Sequence, residues 1–277
     1  MKIHPQPDDS TCGPTCLHAI YNHFGERLEL AQVIQAIPQL DAGGTLAVML
    51  GIDALQRGYD ATIYTYNLQV FDPTWFPSES PLEWEMEVTP EPPERTEHLV
   101  AKLRAQMRAK RSRKLRLASR AYIEFLQRGG KIRMRDLDAD LVCGFLGQSI
   151  PLLAGLSSTY LYRAFREFGP NLVDDDIRGH ASGHFVVLFD YDRGQQTVGI
   201  ADPYLPNPLG KEHHYHVPFN RLICAIMLGV LTYDANLLAI RPQQSPAPES
   251  LSSAATPVRS QAQLTTAPKT SRRSNPR

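Results

Sequence analysis

A cysteine placed at the mouth of a helix is the feature of this sequence best suited to do chemistry. Cys12 lies in the run Ser10-Thr11-Cys12-Gly13-Pro14-Thr15-Cys16, and Cys12, Cys16, Ala19, Ile20 and His23 recur at helical spacing on one face. Pro14 fits only a first turn, Ser10 or Thr11 can cap the start, and Gly25 ends the run. The spacing therefore predicts a helix over 12–24 with Cys12 at its N-terminus. The working form of such a nucleophile is the thiolate, which a helix N-terminus and a neighbouring imidazolium both favour. Gly13 is expected to clear the space beside the sulfur through which a carbonyl would approach. Cys16, Cys143 and Cys224 read instead as small buried hydrophobes.

A base must come from elsewhere in the chain. Of nine histidines, His184 stands out because it opens the strand-like run Gly183-His184-Phe-Val-Val-Leu-Phe-Asp-Tyr-Asp. A histidine on a strand is held rigidly, and the glycine before it should leave one side uncovered. Asp202 follows at the end of the next strand, 197–202, and Asp192-Arg193-Gly194 reads as a three-residue hairpin loop with glycine in the left-handed position. Folding the chain there sets His184 directly opposite Asp202 on one sheet face. A carboxylate so placed can fix the imidazole tautomer and stabilise its charged form. Gln6, just upstream of Cys12, could donate to a developing oxyanion beside the Cys12 backbone N–H.

The segments Gln6-Pro-Asp-Asp-Ser-Thr-Cys12-Gly-Pro-Thr-Cys16, Gly183-His184-Phe-Val-Val-Leu-Phe-Asp-Tyr-Asp and Ile200-Ala-Asp202-Pro resemble those of the C39-type cysteine peptidases. The free-standing, C39-like branch is the one most similar. The resemblance spans roughly 1–241, with its specific motifs in those three segments. It implies a papain-like α+β fold, a nucleophile-bearing N-terminal helix packed on an antiparallel sheet, and a cleft between them. It also implies the roles of nucleophile for Cys12, base for His184, orienting acid for Asp202 and oxyanion donor for Gln6. No cofactor or metal is implied, and the partner is a peptide or protein substrate. Well-known members cut leader peptides after a double glycine and are fused to exporter membrane and ATPase domains, neither of which is expected here. A catalytically silent peptide-binding module of the same fold and an acyl-transferring relative are the alternative readings. A Cys₂His₂ metal site built from Cys12 and Cys16 with His213, His214 and His216 is a weaker one, because CxxxC spacing is permissive and no second cysteine pair follows.

These residues need elements to hold them. Helices are expected over 28–38 and 45–57, a strand over 60–71, a Pro-rich loop over 73–93, and strands over 150–157 and 185–191. Residues 222–231 suit either helix or strand. Helices come first and strands mostly later, an α+β order. One long helix is expected from 94 to about 128, an apparent insertion. Eight Lys or Arg residues fall between 102 and 116 with no acid among them, a basic face that could meet an acidic partner or nucleic acid. From Pro242 to Arg277 the chain has no aromatic residue and is rich in Ser, Thr, Pro, Ala and Gln, the composition of a disordered tail.

The whole chain is electrically balanced, with 29 basic and 29 acidic residues in 277, so any attraction to a polyanion has to be local. Its N-terminus lacks an apolar signal-peptide core, and no apolar run approaches the roughly 20 residues of a membrane span. Four cysteines in a chain of this length do not make a disulfide framework. Together these features predict a protein of a reducing compartment, the cytoplasm by default, without a membrane span.

Overall fold

The computed structural model describes residues 1–40, 43–76 and 92–243. Residues Met1–Gln243 form one compact unit. Its centre is a seven-stranded sheet in the order β2-β1-β9-β3-β6-β7-β8. In chain order the strands are β1 (Tyr59–Thr65), β2 (Lys131–Arg133), β3 (Leu152–Ser157), β6 (Gly183–Asp192), β7 (Thr197–Ala201), β8 (His214–Pro218) and β9 (Asn236–Pro242). A separate two-stranded ribbon, β4 (Glu167–Phe168) with β5 (Val173–Asp174), lies in the connection before β6. Every pair in the large sheet is antiparallel except β1 with β2.

The central strands are apolar on consecutive residues because both faces of the sheet are covered. Along β9, Leu238 and Ile240 enter one core while Leu237 and Ala239 enter the other, and along β6 Phe185 and Val187 oppose Val186 and Leu188 in the same way. The first core also takes α1 (Cys12–His23), α3 (Ala47–Gln56), α4 (Pro93–Ala109) and α5 (Arg113–Gln127), with α2 (Leu30–Ala36) against α1. The second takes α6 (Ala139–Leu146), α7 (Ser158–Tyr162) and α8 (Phe219–Leu228). The result is the α+β architecture expected, with the Cys12 helix packed on a largely antiparallel sheet.

Several boundaries differ from the sequence reading, each for a local reason. The expected single helix 94–128 is two helices that pack together. The apolar spacing Leu99, Leu103, Met107 would next require an apolar residue near 110 or 111, where Lys110 and Arg111 stand, and Ser112 begins α5 by accepting a hydrogen bond from the Leu115 N–H. The expected strand 60–71 stops at Thr65, because the Thr65 hydroxyl takes the Asn67 N–H and the Asn67 side chain takes the Gln69 N–H, bending the chain out of the ladder. Residues 222–231 complete α8 and a following 3-10 turn. Pro242, expected in the tail, closes β9 opposite Tyr59. The rest of that tail, and most of the Pro-rich stretch, lie outside the described residues. Strands β2, β8 and β9 and helix α6 had no counterpart in the sequence reading.

Candidate functional site

Alternate strands of an antiparallel sheet end together. The end of β1, the start of β9, the end of β3, the start of β6 and the end of β7 therefore lie at one end of the sheet, with α1 crossing the β6 region. Cys12, His184 and Asp202 meet there. The His184 Nε2 lies 2.9 Å from the Asp202 Oδ1, and the Cys12 side chain is near enough to the same imidazole to raise its pKa. With Nε2 turned to the carboxylate, Nδ1 is the nitrogen left for the sulfur.

His184 and Asp202 do not face each other directly, as the hairpin reading had expected. The loop is Arg193–Gln196, with Asp192 Oδ1 accepting from the Gly194 and Gln195 N–H groups, and Gln196 rather than Gly194 takes the left-handed conformation, at φ 51°. Asp192 consequently pairs with Thr197, and a bulge between Leu188 and Asp190 then resets the ladder to Val187 opposite Ala201. His184 is diagonal to Asp202, on the same face.

The Asp202 carboxylate is fully buried and densely bonded. The Tyr162 hydroxyl donates to its Oδ2 at 2.7 Å and the Tyr215 hydroxyl to the same oxygen at 2.6 Å. The Tyr204 N–H donates to Oδ1 at 2.9 Å, beside His184. Burial alone would push the Asp202 carboxyl up. The His184 charge and these side-chain bonds outweigh it and hold the group below the ordinary carboxylate range. Burial would likewise strip the proton from His184, but Asp202 and Cys12 hold the imidazole well above its usual range. The rings of Tyr162 and Tyr204 lie 6.0 Å and 6.2 Å from that of His184, walling it from water. Neither tyrosine contact with Asp202 was read from the sequence. Tyr215 was legible in principle, since His214-Tyr215-His216-Val217 alternates exposed and buried along β8 and sets Tyr215 opposite Ile200, on the Asp202 face.

At the nucleophile end, Thr11 gives α1 no side-chain cap. Its hydroxyl donates to the Asp8 carbonyl instead. Gly13 serves packing rather than substrate access: a Cβ there would lie 2.8 Å from Thr45 Cγ2 and 3.1 Å from the Phe185 ring. Gly183 is exposed, but the direction a side chain would take is filled, for a Cβ there would lie 2.1 Å from Asp234 Oδ2 and 2.7 Å from Thr232 Oγ1. Gln6 is tied to the Asp202 segment through its backbone N–H, which donates to the Pro203 carbonyl at 2.9 Å. One N–H of its side-chain amide is spent on the Asp8 carbonyl at 2.9 Å.

The remaining thiols differ from one another. Cys16 is completely buried, its Sγ 3.2 Å from the Phe185 carbonyl, and burial pushes its pKa well up. Cys143 is only half-buried and Cys224 is exposed, so neither is the buried hydrophobe expected. The residues of the weaker metal reading are occupied elsewhere: His213 Nδ1 lies 2.6 Å from the Asp202 carbonyl, His214 Nε2 lies 2.8 Å from the Met1 carbonyl, and His216 faces Asp190. Among the described residues no three potential metal ligands cluster.

No protein-family model and no curated protein matches the sequence. Among solved structures, one match is the peptidase domain of Streptococcus ComA, a bi-functional ABC transporter involved in a quorum-sensing pathway. It is 12% identical, with a TM-score of 0.38, over 87% of this chain and 98% of that one. A second is a C39-like peptidase from Bacillus anthracis, also 12% identical, with a TM-score of 0.42, over 88% of this chain and 96% of that one. No helix among the described residues is long and apolar enough to cross a membrane.

Proposed function

We propose that this chain is a cysteine peptidase or closely related amide hydrolase acting through Cys12, His184 and Asp202. The observation that supports it most is one imidazole held at 2.9 Å by a buried carboxylate while the Cys12 side chain is near enough to the same ring to raise its pKa. In this reading the Cys12 sulfur, its proton lodged on His184 Nδ1, attacks the carbonyl carbon of a peptide or amide bond. The C–N bond breaks, the amine leaves with the His184 proton, and a thioester remains. Water then attacks the thioester, giving its proton to His184, and the acid departs as the thiol–imidazole pair is restored. The Cys12 backbone N–H at the uncapped start of α1, with the second amide N–H of Gln6, receives the oxyanion charge. Asp202 keeps the imidazole in one tautomer. The free thiols suit a reducing compartment such as the cytoplasm.

The test is alkylation by iodoacetamide from about pH 5 to pH 9, followed cysteine by cysteine with mass spectrometry. An ordinary thiol is less than about 1% ionised at pH 6, so Cys12 should outpace the exposed Cys224 about a hundredfold there, and His184→Ala should erase the advantage. If Cys12 and Cys224 respond to pH alike in both proteins, the hydrolase reading fails and a silent peptide-binding module replaces it.

A further inference from the structure

The helical pair α4 and α5 carries charge that the rest of the site does not use. Between Glu97 and Glu124 there is no acidic residue, while Lys102, Arg104, Arg108, Lys110, Arg111, Arg113, Lys114, Arg116 and Arg120 put nine cations into nineteen positions. All nine are exposed. The folded chain sets pairs such as Arg104 with Arg108, and Arg116 with Arg120, at i,i+4 spacing, where like charges repel. In a chain whose formal charge sums to zero, this is a segregated patch rather than a general excess.

Among the described residues, several contacts of the patch are to neutral groups. Lys110 donates to the Gln106 side chain and Arg116 to the Lys110 carbonyl. Lys114 donates to the Thr232 carbonyl at 3.2 Å and lies 4.5 Å from the centre of the Tyr233 ring. Asp72 is close enough to Lys102 and Lys110 to feel their charge. The Lys114 contact fixes where the patch lies. Thr232 and Asp234 pack against Gly183, the residue before His184, so the α5 end of the patch borders the catalytic end of the sheet.

We propose that the α4–α5 surface is a docking site for an acidic polypeptide segment, which under the hydrolase reading belongs to the substrate. Two observations choose this polyanion over a single-stranded nucleic acid. Residues 99–121 contain no aromatic side chain on which bases could stack. The Lys114 contact also places the patch beside the end of the sheet that carries His184, where a polypeptide bound at Cys12 would be within reach. Guanidinium groups, six of the nine cations, pair carboxylates with two hydrogen bonds at once.

The test uses the full chain carrying Cys12→Ala, so that binding is read without turnover. Fluorescence anisotropy is measured with a labelled twelve-residue peptide of alternating Glu and Gly, its Gln-for-Glu counterpart, and an oligonucleotide of matching charge. The acidic peptide should bind, the neutral one should not, and raising salt from about 0.05 to 0.3 M should weaken binding severalfold. The triple variant Arg104→Glu/Arg108→Glu/Arg116→Glu, shown by circular dichroism to be folded, should bind the acidic peptide at least about tenfold more weakly. Failure of the acidic peptide to bind, or tighter binding of the oligonucleotide, overturns the proposal. Either result leaves the hydrolase reading standing, because Cys12 alkylation decides that separately.

Discussion

The double phenol contact on Asp202 invites the most quantitative test of the site. Tyr162 and Tyr215 come from α7 and β8, and both hydroxyls donate to the one oxygen, Oδ2, of a carboxylate with no solvent exposure. A hydrogen bond to a charged group contributes about 1.5–3 kcal/mol. Burial and the adjacent carboxylate keep both phenols protonated, so they act as donors throughout the accessible pH range. Tyr162→Phe with Tyr215→Phe leaves Oδ2 without a donor, and its ionised form loses about 3 kcal/mol at the low end of that range. One pKa unit is 1.36 kcal/mol, so the ease of ionising Asp202 should fall by about two units. Two units above about 2 still leaves Asp202 ionised above about pH 5, and a carboxylate stripped of its phenol donors holds the His184 imidazolium more strongly, which moves the upper limb of the Cys12 alkylation profile up in pH. The single variants should each show about half the shift, or more than half if the two bonds are not additive. Urea unfolding should register about 1.5 kcal/mol or more for each single variant. A double variant that is folded yet keeps the wild-type alkylation profile would refute the coupling of Asp202 to His184.

Two further predictions concern Asp234 and the glycines that admit it. Gly183→Ala places a Cβ within 2.1 Å of Asp234 Oδ2, and either the start of β6 or the 232–234 turn must move. That overpacking should cost about 1–3 kcal/mol in urea denaturation and slow Cys12 alkylation below pH 7, whereas a swap at exposed Gly194 should do neither. Asp234 itself is buried, and that burial, opposed by the Thr232 hydroxyl and by Lys114 and His184, raises its pKa to about 7. A carboxyl raised on folding binds its proton more tightly in the native state. It therefore supports the fold below about pH 4 and withdraws that support as pH climbs toward 7. Asp234→Asn removes the titration, so its stability relative to wild type should improve from pH 4 to pH 8 by up to a few kcal/mol. A difference that stays flat with pH would show that Asp234 keeps an ordinary carboxylate pKa.

The parts of the fold legible in the sequence were those set by local chemistry. The Cys12 helix announced itself through Pro14, Gly25 and a period of 3.6, and β3 and β6 through apolar runs of strand length. What stayed hidden was fixed by partners distant in the chain. Strand β2 is three residues long and exists only as the parallel neighbour of β1. Helix α6 offers the short apolar run Leu141-Val142-Cys143, which suits helix or strand equally until Asp138 accepts the Leu141 N–H and caps it. Tyr162 belongs to a five-residue helix whose only signature is Ser157, which accepts from the Tyr160 N–H.

The His184–Asp202 hairpin shows how a sequence argument can reach the right pair through the wrong geometry. A three-residue loop at 192–194 would have paired His184 with Asp202 directly. The actual four-residue loop, with Gln196 in the left-handed region, shifts the pairing by three positions, to Asp192 opposite Thr197. An odd shift would send the two side chains to opposite faces of the sheet. The bulge at Phe189 takes one position back, leaving Val187 opposite Ala201 and a net shift of two. Two is even, so the faces agree again, and the imidazole reaches the carboxylate along a diagonal at 2.9 Å instead of straight across. The parity rather than the register carries the site, and the bulge secures the parity. Inserting one residue between Val186 and Val187 would restore the odd shift at His184, turning it away from Asp202 while both residues remained in the chain.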